Sequence, residues 1–220
     1  CESITGIRAA EGSVLFKGIE LTGMDPRAML RRNIRIGFVP EDRLGMGLAS
    51  GLSVSDNVAL RAYRSGRGPF LNKKAEAARA ADLIERYHVS ASGADQAIQS
   101  LSGGNIQKVL LGREIDRGAD FFIAAYPVRG LDIGASNFIC ERLNEEKKKG
   151  VAILFIGEDL DVLLELCDRI LVLCGGRVSG ILDGRTATKE EVGLLMTHLP
   201  DAACAADARD GGEEADTHGT

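Results

Sequence analysis

The sequence has no tryptophan, and aromatic residues make up only 5% of its 220 positions. Its five cysteines form no C-x-x-C pair, and its three histidines are scattered along the chain. An odd number of cysteines without metal-ligand spacing supports neither a disulfide framework nor a zinc site. Because 45% of the residues are nevertheless hydrophobic, we predict an aliphatic core, reduced thiols and no metal-binding cluster.

Long apolar runs and an excess of positive charge are also missing. The longest strongly apolar runs, 151–156 and 170–174, are far shorter than the roughly 20 residues that span a bilayer. Residues 1–12 lack the basic start and apolar stretch of a secretory signal. Residues 201–220 hold six acids and one arginine, so the rest of the chain holds 26 residues of each sign. This neutral body argues against a general nucleic-acid-binding protein.

The composition changes near residue 199. No valine, isoleucine, leucine, methionine or aromatic residue follows Leu199, so we predict a disordered acidic tail at 200–220 and a globular domain at 1–199. At the other end, the chain starts without methionine, and residues 1–18 are typical of a helix end, a loop and a strand. This start indicates a fragment or a trimmed chain.

Short apolar strands alternate with helices along the globular part. Strands are predicted at 13–16, 34–39, 121–125, 151–156, 169–174 and 177–182, and helices at 26–32, 54–60, 73–87, 101–117, 136–149, 159–166 and 189–199. Continuous apolar strands separated by long helices predict a parallel sheet covered on both faces, which is an α/β fold. Residues 53–117, with a loose stretch at 65–69, contain no core strand and predict an inserted helical subdomain.

One stretch at a helix start carries chemistry: Leu101-Ser102-Gly103-Gly104-Asn105-Ile106-Gln107-Lys108. Two glycines after a serine let an anion approach backbone N–H groups that have no partner within the helix. An isolated Ser-Gly-Gly is also typical of an ordinary serine cap with a flexible turn. The sequence on either side of this stretch helps to choose between these two interpretations.

Five further blocks accompany this stretch in a fixed order. They are Gly37-Phe38-Val39-Pro40-Glu41-Asp42-Arg43, Leu52-Ser53-Val54-Ser55-Asp56-Asn57-Val58, Phe121 to Asp132 with Ala125-Tyr126-Pro127, Val151 to Leu160, and Cys167-Asp168-Arg169-Ile170 to Val178. Together the blocks resemble the nucleotide-binding subunits of ATP-binding-cassette (ABC) transporters, and specifically the second cassette of importers for simple sugars or nucleosides. The resemblance covers about residues 3–199.

The resemblance implies a fold, cofactors and partners. It implies a P-loop NTPase-like nucleotide-binding domain at 1–199, with its helical subdomain at about 53–117. The cofactors would be ATP and Mg²⁺ in an assembled two-cassette protein. The partners would be a second cassette, in the same polypeptide or a dimer, and transmembrane permease subunits at the cytoplasmic face of the membrane. No nucleic acid is implied, and the transported solute is not identified.

The phosphate-cradling P-loop string G-x-x-x-x-G-K-[ST] does not occur in these residues. In the family it precedes a helix that ends like residues 2–6, so the resemblance implies an N-terminal truncation just after the P-loop. The usual Walker B acids align with Ala125 and Tyr126, and the usual switch histidine aligns with Glu158. Alanine has no side-chain oxygen, and a tyrosine phenol stays protonated near neutral pH. The resemblance therefore implies that no catalytic residue is intact. The ATP site that this cassette itself would form is then degenerate and hydrolyses ATP weakly or not at all.

The binding positions are better preserved. By resemblance, Ser102, Gly103 and Gly104 would donate hydrogen bonds to the γ-phosphate of ATP held by a partner cassette, with Asn105 as a weaker candidate. Asp132 matches the D-loop acid at the cassette interface, although an aspartate near a glycine is also an ordinary turn former.

Two further regions have competing interpretations. Glu41 aligns with the Q-loop residue that contacts Mg²⁺ and water in the family, and residues 41–52 would face a membrane subunit, although a solvated loop is the plainer interpretation. The basic side chains Arg43, Arg61, Arg64 and Arg67 are expected to form a solvated face.

Two functions stay open on these grounds. The first is an ATP-binding segment of an importer subunit that couples ATP binding and hydrolysis to sugar or nucleoside uptake, and that completes a composite ATP site with its signature sequence. The second is a non-hydrolysing, degenerate cassette that acts as an interaction or regulatory module.

Overall fold

The computed structural model describes residues 1–62 and 72–197, apart from the side chains of residues 61 and 62. The loose stretch at 65–69, the predicted acidic tail at 200–220 and the basic residues Arg64 and Arg67 lie outside the described residues. The contacts divide the chain into two compact units, Cys1–Glu158 and Asp159–Thr220.

The first unit contains five strands and five α-helices among the described residues. The strands are β1 (Leu15–Phe16), β2 (Ile19–Glu20), β3 (Ile36–Val39), β4 (Phe121–Ala125) and β5 (Ala152–Ile156). The helices are α1 (Pro26–Arg31), α2 (Val54–Ala62), α3 (Lys73–Arg86), α4 (Gly103–Ile115) and α5 (Ile133–Lys148), with a π-helical turn at Arg43–Gly47 and a 3₁₀ turn at Ile98–Ser100. The predicted helical insertion corresponds to α2, α3 and α4, which lie between β3 and β4 in the chain.

A three-stranded parallel sheet organises this unit. Its order is β3-β4-β5, with Val39 opposite Ala124 and Ala124 opposite Phe155. The central strand β4 is the most buried, since Phe122, Ile123 and Ala124 are at most 1% exposed. The predicted α/β fold with a parallel sheet is confirmed, and the carboxyl ends of three strands lie side by side.

Capping side chains set the helix starts. Asp25 accepts a hydrogen bond from the Ala28 N–H at 2.6 Å, which begins α1 at Pro26 as predicted. The prediction for α4 started two residues too early, because Leu101 and Ser102 have extended backbones. The prediction for α5 started three residues too late, because Asp132 is its N-cap.

The N-terminal strands form a hairpin that the sequence only partly indicated. Strand β1 pairs antiparallel with β2 through a two-residue turn, in which Lys17 and Gly18 both have positive φ angles of 49° and 75°. This is the geometry that matches the twist of a two-residue hairpin. We predicted a strand at 13–16 and missed β2, because a two-residue strand has no hydrophobic period.

The second unit is built on an antiparallel hairpin. It comprises α6 (Leu160–Leu166), β6 (Arg169–Cys174), β7 (Arg177–Asp183) and α7 (Lys189–Thr197). Ile170, Val172 and Val192 form its core. The strands predicted at 169–174 and 177–182 form this hairpin, in which β6 pairs antiparallel with β7 across a turn at Gly175-Gly176.

The helices of the described ranges, 1–62 and 72–197, do not include one that combines the length and apolar character needed to cross a membrane.

Candidate functional site

The first candidate region is the edge at which the three parallel strands end. Glu41 lies two residues after β3, Tyr126 directly follows β4, and Glu158 lies two residues after β5. The Tyr126 N–H donates to the Ile156 carbonyl oxygen at 2.7 Å, which holds the ends of β4 and β5 level. Loops at the carboxyl ends of parallel strands are the usual place for ligands in α/β folds. We call Glu41, Tyr126, Arg129 and Glu158 the carboxyl edge.

Arg129 lies at the centre of the carboxyl edge. Its Nη1 atom is 2.5 Å from Oε1 of Glu41, and its Nε atom is 3.5 Å from Oε1 of Glu158. Its guanidinium carbon lies 5.5 Å from the centre of the Tyr126 ring, within the range of a cation–π contact. One cation of this chain therefore faces both Glu41, which we aligned with the Q-loop residue, and Glu158, which we aligned with the switch histidine.

The end of β4 offers no carboxylate to this edge. Ala125 is the last residue of the strand, and the following residue, Tyr126, has a φ angle of 49°. A bulky residue in the left-handed region is strained and persists only where its surroundings hold it. The ladder bond to Ile156 and the Arg129 contact are two such restraints on Tyr126.

The second candidate region is the start of α4, which we call the signature turn and define as Ser102, Gly103, Gly104 and Asn105. Ser102 and Gly103 are exposed, and the Ser102 hydroxyl accepts hydrogen bonds from the N–H and the Nδ2 of Asn105 at 3.4 and 2.9 Å. The Gly103 and Gly104 N–H groups have no hydrogen-bond acceptor within the described part of the chain. The turn therefore presents two free backbone donors at the positive end of a 13-residue helix.

Asn105 has a different environment from the two glycines. Its Oδ1 atom accepts the Ser90 N–H at 2.8 Å, while its Nδ2 atom donates to Ser102. Both polar ends of the amide are therefore used inside the chain. Asn105 holds the signature turn against the segment that follows α3.

Asp132 lies beside the signature turn. A Cβ atom added at Gly104 would be 3.1 Å from the Ala135 Cβ and 3.6 Å from Oδ2 of Asp132. The other carboxylate oxygen, Oδ1, accepts the Ala135 N–H at 2.9 Å and caps α5. Asp132 is thus both a helix cap and an exposed neighbour of Gly104, so the two interpretations of this residue are compatible.

Arg43 connects the two regions, and our expectation that it belongs to a solvated face was wrong. Its side chain is half-buried, donates to the Arg129 carbonyl oxygen, and brings Nη1 to 3.5 Å from the Cβ position of Gly103. Burial lowers the pKa of the Arg43 guanidinium below its usual value. We missed the roles of Arg43 and Arg129, for which the available signal was a pair of arginines near two glutamates at adjacent strand ends.

A buried ion pair between Arg113 and Glu114 lies near the C-terminal end of α4. Arg113 and Glu114 are 4% and 0% exposed, and Nη2 of Arg113 lies 2.9 Å from Oε1 of Glu114. The same Nη2 donates to the Gly47 carbonyl oxygen at 2.7 Å, and Arg117 reaches Glu114 at 3.3 Å. Through its bond to Gly47, this pair fastens the π-helical turn Arg43–Gly47 to α4.

The next residues of the signature sequence face inward. Gln107 is fully buried, and neither polar atom of its amide has a hydrogen-bond partner in the described residues. The Lys108 ammonium donates to the His88 carbonyl oxygen at 3.0 Å and lies 4.9 Å from the centre of the Phe138 ring. These two residues support the packing of α4, whereas the exposed turn is formed by Ser102 and Gly103.

A parallel sheet, helices inserted between its strands and a glycine-rich helix start define the class of ATP-binding-cassette folds. Two solved structures are similar to the chain. One is the dimeric ATP-binding cassette MJ0796 in a post-hydrolysis state bound to ADP and Pi, with a TM-score of 0.70, 23% identity, and coverage of 84% of this chain and 78% of that one. The other is an ATP-binding subunit of an ABC transporter, with a TM-score of 0.69, 24% identity, and coverage of 90% and 81%.

The chain belongs to the ABC transporter family, whose model matches residues 1–127. It is 37% identical over 199 residues to the nucleoside import ATP-binding protein NupA of Lactococcus lactis subsp. cremoris, covering 89% of this chain and 39% of that protein. It is 35% identical over 201 residues to the guanosine import ATP-binding protein NupO of Bacillus subtilis, covering 89% and 39%. The ribose import ATP-binding protein RbsA of Corynebacterium glutamicum is 35% identical over 201 residues, covering 90% and 38%. The chain therefore spans less than half the length of these relatives.

Proposed function

We propose that the chain is a segment of the ATP-binding subunit of an importer for a simple sugar or nucleoside. Its contribution is to present the signature turn to ATP that a second cassette holds, and so to complete a composite ATP site. The partners are that second cassette, in the same polypeptide or a dimer, and permease subunits at the cytoplasmic face of a membrane. The relatives named for nucleoside, guanosine and ribose import support this choice of solute class.

The observation that carries the proposal is the free donor set of the signature turn. Gly103 and Gly104 offer backbone N–H groups without an acceptor in the described residues, and Ser102 is exposed beside them. Donors of this kind suit phosphate oxygens, because the helix dipole and the unpaired N–H groups both favour negative charge. A Cβ atom at Gly104 would come within 3.1 Å of the Ala135 Cβ, which accounts for glycine at this position of the signature turn.

The residues of the turn have distinct tasks in this proposal. The Ser102 hydroxyl and the two glycine N–H groups would hold the terminal phosphate of ATP. Asp132 caps α5 and keeps the start of that helix next to Gly104. Nucleotide bound by the partner supplies the phosphoryl group that is transferred to water, and this chain contributes fixed donors that stabilise charge on the phosphate.

The proposal is tested with Ser102→Arg in the assembled two-cassette protein. Loss of a preorganised donor typically lowers turnover by about 100-fold or more, and a bulky cation at this position also blocks approach of a second cassette. Ser100→Arg is the matched control, because Ser100 is exposed on the preceding 3₁₀ turn and lies outside the signature turn. Unchanged transport-coupled ATP hydrolysis in Ser102→Arg would overturn the proposal.

A second candidate function is a regulatory module whose own site hydrolyses no ATP. It is favoured by Ala125 and Tyr126 at the end of β4 and by the ion pairs of Glu41 and Glu158 with Arg129. The test is an assembly in which the partner cassette's own catalytic residues have been inactivated. Magnesium-dependent hydrolysis that persists there would count against a silent site in this chain.

A further inference from the structure

The carboxyl edge does not fit a magnesium ion. Mg²⁺ requires near-octahedral coordination by oxygen, usually with one or two carboxylates that are free to bind it. Ala125 supplies no oxygen, and the near carboxylate oxygens of Glu41 and Glu158 both face Arg129. Within residues 1–62 and 72–197 there is also no group of three or more histidine, cysteine, aspartate or glutamate side chains that could hold a metal ion.

We infer that the Arg129 guanidinium is a built-in cation that holds the loops after β3 and β5 at the carboxyl edge without a metal ion. The inference rests on its two contacts, at 2.5 Å with Glu41 and at 3.5 Å with Glu158. Arg129 itself follows β4, and its two contacts join it to the loop after β3, through Glu41, and to the loop after β5, through Glu158. Without this cation, Glu41 and Glu158 would lose these two ion pairs at the edge they share.

Arg129 also holds the second residue beyond Glu41. Its carbonyl oxygen accepts a hydrogen bond from Arg43, so the side chain and the backbone of Arg129 contact the two ends of the short segment 41–43. The segment then enters the π-helical turn, where Gly47 accepts a hydrogen bond from Arg113. Arg129 is therefore a positioning residue for the loop 41–47, and it keeps Arg43 next to Gly103 of the signature turn.

The inference depends on the proposed function only for the choice of magnesium as the probe ion. It concerns the chain by itself, because all four residues of the carboxyl edge belong to it. An experiment on this chain, without nucleotide and without a second cassette, therefore tests it independently. Its outcome stands whichever result Ser102→Arg gives in the assembly.

The test is amide hydrogen exchange of peptides that cover residues 41–47, in the presence and absence of millimolar Mg²⁺. Four chains are compared: the unchanged sequence, Arg129→Gln, Arg129→Lys and the control Arg79→Gln. The control removes an exposed arginine of α3 that pairs with Glu76 at 3.0 Å. Its side chain is 54% exposed, against 55% for Arg129, so the two glutamine variants lose comparable surface pairs.

The unchanged chain should exchange slowly in this loop and be insensitive to Mg²⁺. Arg129→Gln should exchange about fivefold faster, the upper range for losing an exposed charge cluster, whereas Arg129→Lys should stay close to the unchanged chain because it keeps the cation. Arg79→Gln should leave the loop unaffected.

Three results would overturn the inference: a glutamine variant that exchanges like the unchanged chain, a lysine variant that exchanges as fast as the glutamine variant, or Mg²⁺ slowing exchange in the unchanged chain. Glu158→Gln covers the case in which Arg129→Gln does not fold. It should speed exchange at residues 157–158, and equal exchange there would also count against the inference.

Discussion

The signature turn and the carboxyl edge belong to the same unit but use different chemical groups. The signature turn relies on backbone N–H groups of Gly103 and Gly104, together with one hydroxyl. The carboxyl edge relies on charged side chains, and these are paired with each other through Arg129. The first region has donors left to offer a ligand, whereas in the second the charged side chains are paired with each other.

The two kinds of site respond differently to sequence change. A backbone donor persists as long as the helix starts at the same residue, and here Ser102 capping and Asn105 bonding maintain that start. A side-chain donor or acceptor, by contrast, is lost with one substitution. The same fold can therefore keep free N–H groups at a helix start while the charged side chains at its strand ends pair with each other.

The largest loss of stability is expected on breaking the buried Arg113–Glu114 pair, which joins α4 to the turn Arg43–Gly47. Glu114→Gln takes away the negative charge that faces Arg113 and Arg117 in the interior of α4. We expect the free energy of unfolding to fall by about 3–5 kcal/mol, the range for breaking a buried ion pair, as measured by urea denaturation. Glu145→Gln is the control, because Glu145 is 45% exposed in its pair with Arg142. Equal effects of the two substitutions would show that the buried pair does not support α4.

A pair of glycine substitutions separates the inner and outer faces of the signature turn. Gly104→Val should destabilise the chain by about 2 kcal/mol, within the range for overpacking, because its Cβ would lie 3.1 Å from the Ala135 Cβ. Gly103→Val should cost less, since only the flexible end of Arg43 lies nearby, at 3.5 Å. Thermal unfolding of both variants checks the order, and a larger loss for Gly103→Val would contradict the described packing of α4 on α5.

The smallest effect is expected at the carboxyl edge. Arg129→Gln should lower the free energy of unfolding by about 1 kcal/mol at most, because exposed ion pairs contribute little, and the loss should shrink at high salt. Urea denaturation at low and high ionic strength measures both quantities. A loss of several kcal/mol that salt does not change would mean that Arg129 acts through packing, and would remove the contrast with Glu114.

Local sequence signals were sufficient for the central sheet and several helix starts. The apolar run of β4 and the Asp25-Pro26 pair before α1 each define an element by themselves. The glycine pair 175–176 between two short apolar strands likewise indicated the hairpin of β6 and β7. The partners of Arg43 and Arg129 could not be predicted, because their contacts join loops that are far apart in the chain.

The candidate site was predictable in its positions and less so in its contacts. Ser102, Gly103 and Gly104 form an exposed helix start, whereas Asn105 is engaged inside the chain in a way that its sequence did not indicate. Glu41 and Glu158 were assigned singly from the resemblance. That one arginine faces both of them follows only from the three-dimensional arrangement of the strand ends.

The pairing of β3 with β4 has a consequence for the folding kinetics of the chain. Ile36 lies opposite Phe121, so this pairing closes a long loop that contains α2, α3 and α4. The contact between β4 and β5, with Phe121 opposite Ala152, closes a much shorter one. Because loop closure costs more entropy for distant residues and non-local contacts slow folding, β4, α5 and β5 should assemble first. Docking of β3 is then the late step that brings Glu41 to Arg129.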